Sequence, residues 1–455
     1  MMIELRFVKV FGATLMAALL ANGAFAEGAP LVLSNPVTSD NCVSTPPQPL
    51  DQENMVAPAA SINTKTKTYI LPATPATTQW GVFNKSQPPV LKINSGDSVA
   101  IETDAASDNQ VVPGATIEQV IELNTAIPGR GPHTLTGPIY VEGAEPGDTL
   151  QVHFNKILPR SYASNDNVPG KGLFPLEFPK GQIKYFYLDV KKMQMQFSPG
   201  IIVPLRPFPG IVAVARAEPG IFDSIPPGPF GGNLDVREMT EGTTLYLPVF
   251  VKGALLWTGD SHAGQGNGEI NLTAIETAFA EFNITVNVIK QKPLSWPRIE
   301  TPTHWITVGY DTDLNKALDL LKQETVKFII EHRHVSPDEA EKIMFDTWNC
   351  PISEVVNGVK GVYCMLPKDA NAQRLAPLPK FNSAEYFVTH ASDLDIEKAM
   401  SVASMAMINV IVEKSHLSRL DAYSLASIAM DCRIAPYKSG EKEVHCLLPK
   451  SLWVS

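Results

Sequence analysis

Cysteine is scarce in this chain: five residues in 455, at positions 42, 350, 364, 432 and 446. No two form a C-x2-C pair, which excludes a closed thiolate zinc site. Positive charge is also in deficit. Lys and Arg number 37 against 47 Asp and Glu, a net charge of −10, so the basic patch of a nucleic-acid binder is missing. Past the first 26 residues no apolar run is long enough to span a bilayer. No G-x-S-x-G elbow sits between a strand and a helix, which disfavours a serine triad. Proline is not scarce. Its 38 residues are scattered, as many short strands joined by ordered loops require.

The first 26 residues read as a secretory signal. Arg6 and Lys9 precede the apolar run 10–20, and Ala24-Phe25-Ala26 fits an A-x-A cleavage site. Export by the general route is expected, since no arginine pair is present, leaving a periplasmic or secreted protein with no stable membrane anchor. Residues 27–66 are polar and proline-rich and read as an extended arm. From 67 to 302 one device recurs: Ser95-Gly96-Asp97, Pro146-Gly147-Asp148 and Glu241-Gly242-Thr243 each precede an alternating apolar run. Glycine supplies the turn and alternation the strand, so this part is expected to be mainly β, sandwich- or barrel-like and mostly antiparallel.

The chemistry concentrates between residues 231 and 276. Asn233 and Asp235 stand at one end, and Asp260, His262 and Glu269 at the other. Residues two apart on a strand share a face, so each end is expected to point its polar groups together. Between them an apolar run is broken by Lys252-Gly253, expected to close a hairpin that returns the two ends to one rim. Oxygen and nitrogen donors without thiolate suit Zn²⁺, Ca²⁺ or Mn²⁺. Asp and Asn also satisfy turn backbone without any ligand, which is the plainer reading of each residue taken singly. Glycines 264, 266 and 268 would let backbone approach a ligand.

These segments resemble the acetamidase/formamidase family, whose members carry a GGN-x-D segment, a "LYLPV" strand and a G-D-x-H-x-x-Q-G-x-G-E loop. Here they are Gly231–Asp235, Leu245–Val249 and Gly259–Glu269. A "TGP-hydrophobic-aromatic-VEGA-x-PGD" run is matched by Thr136–Asp148, and a "VNG-x-x-GV…LPK" ending by Val356–Lys368. The family's strand after a Pro-Gly turn is met by Ile211–Ala215, followed by Arg216 where the family has proline. The resemblance implies an acetamidase/formamidase-type β fold and hydrolysis of small linear amides such as acetamide or formamide. The class of chemistry then assigns roles: Asp235, Asp260 and His262 to a divalent metal, zinc before calcium; Glu142 and Glu269 to proton transfer; Asn233, Gly264 and Gln265 to the substrate. Glu142 ends a strand beside Gly143, and His133 lies in the preceding loop, where a structural role is the plainer reading. Two alternatives stay open, a cyclic-amide (lactam) hydrolase and a non-catalytic exported metal- or ligand-binding β protein. Homo-oligomerisation also stays open.

The last third repeats itself. A shift of 82 residues aligns Trp305-Ile306-Thr307 with Phe387-Val388-Thr389, Asp313 with Asp395, Ser336 with Ser418, and Cys350 and Cys364 with Cys432 and Cys446. Each unit, 303–368 and 385–455, is expected to be α+β: a strand, two helices and a strand pair. In an exported chain, two cysteines fourteen apart in each copy predict one disulfide within each unit. Nothing in the second copy looks catalytic, and it is expected to pack against the first. Cys42 is left over.

Overall fold

The computed structural model describes residues 66–369 and 378–454. The expected export signal, nearly all of the 27–66 arm and Cys42 lie outside the described residues. Among the described residues no helix is long and apolar enough to cross a membrane.

Two large sheets face each other. One has twelve strands and includes Ser98–Ile101, Phe279–Ile289, Thr149–Pro159 and Thr244–Pro248; the other has eleven and includes Thr134–Glu142, Phe208–Val214 and Leu256–His262. Alternation writes the inner faces: Leu150, Val152 and Phe154 from one strand, and Ile284 and Val286 from its neighbour, are fully buried or nearly so. They share a core with Leu135, Ile139, Ile211 and Trp257 of the opposing sheet. The sheets are antiparallel except where Thr68–Leu71 pairs with Ser98–Ile101 and Leu91–Asn94 with Thr134–Glu142. The turn device is visible as geometry. Gly96, Gly147 and Gly242 hold φ of 94°, 91° and 84°. Asp97 and Asp148 each accept the backbone N–H three residues back, from Asn94 at 2.8 Å and Glu145 at 2.9 Å.

The expected hairpin does not form. Thr244–Pro248 pairs with Thr149–Pro159 and Arg298–Glu300 in one sheet, whereas Leu256–His262 pairs with Phe208–Val214 and Thr134–Glu142 in the other. Lys252-Gly253 therefore opens a crossover between sheets. Its tight left-handed path runs through Gly253, Ala254 and Leu255 at φ 77°, 55° and 60°. A side chain at Gly253 would collide with the Tyr140 ring.

The repeat is a repeat of structure. Strands His304–Asp311 and Tyr386–Asp393, and helices Leu314–Arg333 and Ile396–Ser415, begin and end at equivalent residues. Asp313, Ser336, Asp395 and Ser418 cap the helices as their side chains allow. The disulfides are Cys350–Cys364 and Cys432–Cys446, one per unit. The twelve-stranded sheet runs through both units. Their inner strands meet antiparallel, Cys350 opposite Ile434 and Pro351 opposite Arg433. Across this join Asn315 bonds Asp395, donating through its side-chain amide at 3.0 Å.

Candidate functional site

The site begins with Gly210. Between Pro209, paired with Ser261, and Ile211, paired with Gly259, it falls opposite Asp260. A Cβ there would lie 2.4 Å from Asp260 Oδ2, 2.8 Å from Asp235 Oδ1 and 2.8 Å from the His262 ring. Only glycine leaves room for three functional side chains to converge over it. Its carbonyl accepts the N–H of Leu234 at 2.9 Å and of Asp235 at 3.4 Å, so the Gly231–Asn233 strand delivers Asp235 to the same point. Strand pairing, not a hairpin, thus joins the two ends of the 231–276 stretch. Asp235 and Asp260 hold φ of 48° and 52°, a costly conformation typical of functional positions.

His262 is fully buried with the Phe208 ring at its edge. Its two nitrogens look opposite ways. Nδ1 lies 3.8 Å from Asp235 Oδ1; Nε2 lies 3.2 Å from Asp260 Oδ1 and 3.4 Å from Oε1 of Glu276, its cross-strand partner. The three expected ligands therefore do not form one group. Asp235, His262 and Glu269 make one cluster and Asp260, His262 and Glu276 another, with the imidazole shared. Behind Asp235 sit Glu354 and Asn357 from the end of the Cys350–Asn357 strand. Asn357 donates to Asp235 Oδ2 at 3.0 Å and also to Glu354.

Burial and mutual repulsion dominate the electrostatics. Burial would lower the His262 imidazole, but Asp260 and Glu276 outweigh it and hold the ring well above its ordinary value. Asp260 is driven up by burial and down by His262 and His133, ending at about 2. Asp235, Glu269 and Glu354 are pushed well up, first by burial and then by neighbouring carboxylates. Neither ring nitrogen of His262, nor Asp235 Oδ1, nor Glu354 Oε1 completes a hydrogen bond, although all are buried. So many uncompensated acids around unsatisfied donor atoms fit a cation, which would replace the protons they otherwise need.

Asn233, Asp260, Glu269 and Glu276 open onto a cavity of about 370 Å³. His133 lines it too, with Nδ1 2.8 Å from Ser224 Oγ and Nε2 3.9 Å from Asp260. Asp166 is a further lining residue, its carboxyl raised to about 7 by burial and then by Glu276.

Three expected site residues lie elsewhere. Glu142 stands exposed at the far end of the Thr134–Glu142 strand, roughly 26 Å of extended chain from its site end. Gln265 and Gly264 are buried outside the cavity lining. Gln265 donates to the Ser353 carbonyl at 3.2 Å, bracing the loop. The loop glycines face protein, not ligand. Side chains at Gly266 and Gly268 would strike the Ala426 and Ser427 carbonyls and Met400 of the second α+β unit. That unit clamps the loop: Gly266 N–H donates to Ser427 at 2.8 Å, Asn267 N–H to Met430 at 2.7 Å, and the Asn267 side chain to Asp431 at 2.6 Å. On the loop's other side Gly268 N–H donates to Ser353 of the first unit at 3.0 Å. Asp431 also pairs with Arg237 at 2.8 Å and with Arg433; burial raises its carboxyl, but the two guanidinium groups win and hold it well below the usual range.

Gly210, Glu276, Glu354 and Asn357 were not singled out in the sequence. Asn357 belongs to the matched Val356-Asn357-Gly358 ending, and Gly210 to the Pro-Gly turn, so both had a signal. Glu276 and Glu354 had none.

A family model described as the Acetamidase/Formamidase family matches residues 74–221 and 222–436. The acetamidase of Mycolicibacterium smegmatis is 25% identical over 264 residues, covering 45% of this chain and 64% of the relative's length. The crystal structure of an acetamidase from Bacillus halodurans is 29% identical with a TM-score of 0.60; the match covers 66% of this chain and 97% of that one. A gamma lactamase from Delftia acidovorans, 18% identical with a TM-score of 0.59, shares the fold over 85% of this chain and 94% of its own.

Proposed function

The chain belongs to the acetamidase/formamidase family, and from that premise we propose that it hydrolyses a carboxylic amide, adding water across the C–N bond to give a carboxylate and ammonia. The observation that carries this is buried His262, flanked by four carboxylates and set beside a cavity that three of them line. Nδ1 of His262 with Asp235 and Glu269 would hold a divalent cation. The Nε2 side supports that choice, since Asp260 and Glu276 lie within reach of an N–H there and would fix the tautomer. One imidazole among carboxylates favours zinc; calcium prefers oxygen alone. Such a cation supplies Lewis acidity toward the amide carbonyl.

The chain's own groups supply the rest. Asn233 faces the cavity and can donate its side-chain amide to the carbonyl oxygen. Glu276 and Asp260, also in the lining, can take the proton of the attacking water and return it to the leaving nitrogen. His133 holds Asp260 from the other side. Glu269, the proton carrier expected from sequence, is instead proposed as a ligand because it clusters with Asp235 and His262. The two disulfides support an exported protein.

The test is ammonia release from a series of primary amides beginning with formamide and acetamide, before and after chelation. Hydrolysis lost on chelation and restored by zinc is expected. No hydrolysis of any amide by metal-replete protein overturns the reading and favours a binding protein.

A further inference from the structure

The cavity is larger than formamide or acetamide requires. An apolar cavity of about 150 Å³ is enough for benzene, six heavy atoms; this one holds about 370 Å³, whereas acetamide has four heavy atoms. The lining mixes polar groups, Asn233, Asp260 and Glu269 among them, with apolar surface from Val111, Val120 and Leu272.

The apolar surface is built, not accidental. Val111 and Val120 form a small core of their own with Val168, against which Leu272 packs, three residues beyond Glu269. Val120 projects from the helix Ile117–Thr125, whose start is fixed by a capping box: Thr116 and Gln119 exchange side-chain and backbone bonds. Ala105–Ser107 reach the cavity through a turn in which Ser107, Asp108 and Asn109 all hold positive φ, 56°, 58° and 59°. That conformation is costly for residues other than glycine. It is pinned by bonds from Ser107 N–H to the Pro132 carbonyl at 2.5 Å and from Asp108 N–H to Thr134 Oγ1 at 2.9 Å. Val111 and Val120 are themselves packed in this small core, and an apolar ligand in the cavity would add contacts to the methyl groups that line it.

We propose that the substrate is an amide carrying an apolar group of about five to ten carbon atoms, seated against Val111, Val120 and Leu272 with its amide over Asn233 and Asp260. This rests on the amide-hydrolase reading and narrows it. An open-chain amide and a lactam share the chemistry, and the substrates used below tell them apart.

The experiment compares kcat/KM of the metal-replete full chain for acetamide, butanamide, hexanamide, benzamide and ε-caprolactam. Each methylene buried is worth about fourfold, so hexanamide is expected to exceed acetamide by on the order of 10²-fold. Hydrolysis of caprolactam with hexanamide inert assigns the ring form and supports the apolar seat equally. Val120→Phe should fill the seat, bringing the ratio of kcat/KM for hexanamide to that for acetamide down from about 10² to about one. Val111→Phe is a second variant with the same expectation should the first fail to fold. Acetamide hydrolysed better than every larger amide overturns the proposal and leaves the amidase reading standing. Failure on all five substrates overturns the amidase reading itself.

Discussion

In the first α+β unit the strand Cys350–Asn357 ends with Glu354 and Asn357, both against Asp235. At the 82-residue shift the second unit has Pro436 and Ser439. The helices differ in the opposite sense. Pro337–Asp346 of the first unit buries only Ala340 and Met344, whereas Arg419–Ala429 of the second buries every residue from Ala422 to Ile428. The first unit thus sets polar groups beside Asp235, and the second gives a wall against which the glycine loop is fastened. One fold serves both because a strand–helix–helix–strand unit fixes backbone, not the side chains at its strand ends. The difference also explains why the loop is glycine-rich: it passes between the two units, and its neighbours on the second are carbonyls and a methionine.

If the second unit is a clamp, its loss should be felt in stability before chemistry. Asp431→Ala leaves the Arg237 and Arg433 charges without their shared partner and should cost about 3–5 kcal/mol, read as a fall in the denaturation midpoint. A change below about 1 kcal/mol would mean that the ion-pair group does not hold the units together. Opening either disulfide by Cys→Ser pairs at 350/364 or 432/446 should cost about 3 kcal/mol. The two losses should be alike, since both close fourteen-residue separations; unequal losses would show the units to be unequally ordered when unfolded.

The first unit's contribution is expected in activity. Glu354→Gln and Asn357→Ala should each lower kcat/KM for amides, and affinity for the cation, by about 10–100-fold with little change in midpoint. Pro436→Ala and Ser439→Ala, the matching positions of the second unit, should change neither. Equal effects in the two units would erase the distinction drawn between them.

The smallest effect concerns Asp166, on a wall that neither unit supplies. Its carboxyl is raised to about 7 when folded, above an unfolded value near 3.9, so the folded state holds the extra proton. Stability from this group is therefore present at low pH and lost as pH rises toward 7. Relative to Asp166→Asn, the wild type should lose about 1 kcal/mol between pH 6 and pH 8. Parallel stability curves for the two proteins would contradict this.

Much of the fold was legible because its signals are local. Gly-Asp turns, alternating runs, capped helices and the 82-residue echo all act within a few residues. The expected hairpin is not distinguishable in sequence from a crossover, because an apolar run broken by Lys252-Gly253 looks the same whether its halves pair or enter opposing sheets. Asp260 and His262 were legible from the two-residue period. Glu276 and Glu354 were not, since cross-strand pairing alone brings them there. Glu142 had the right chemistry at the wrong end of its strand. The loop glycines are expected to admit a ligand, but Gly266 and Gly268 lie against the second unit and Gly264 against Ile275 and Arg206.

If His262 anchors a cation on which amide hydrolysis depends, removing its imidazole should remove both. The direct test is divalent-metal content and amide hydrolysis measured together on purified wild type and His262→Ala, with circular dichroism to confirm the fold. The variant is expected to stay folded, to carry almost no metal and to have lost hydrolysis. A folded His262→Ala protein with full metal and full activity would contradict it.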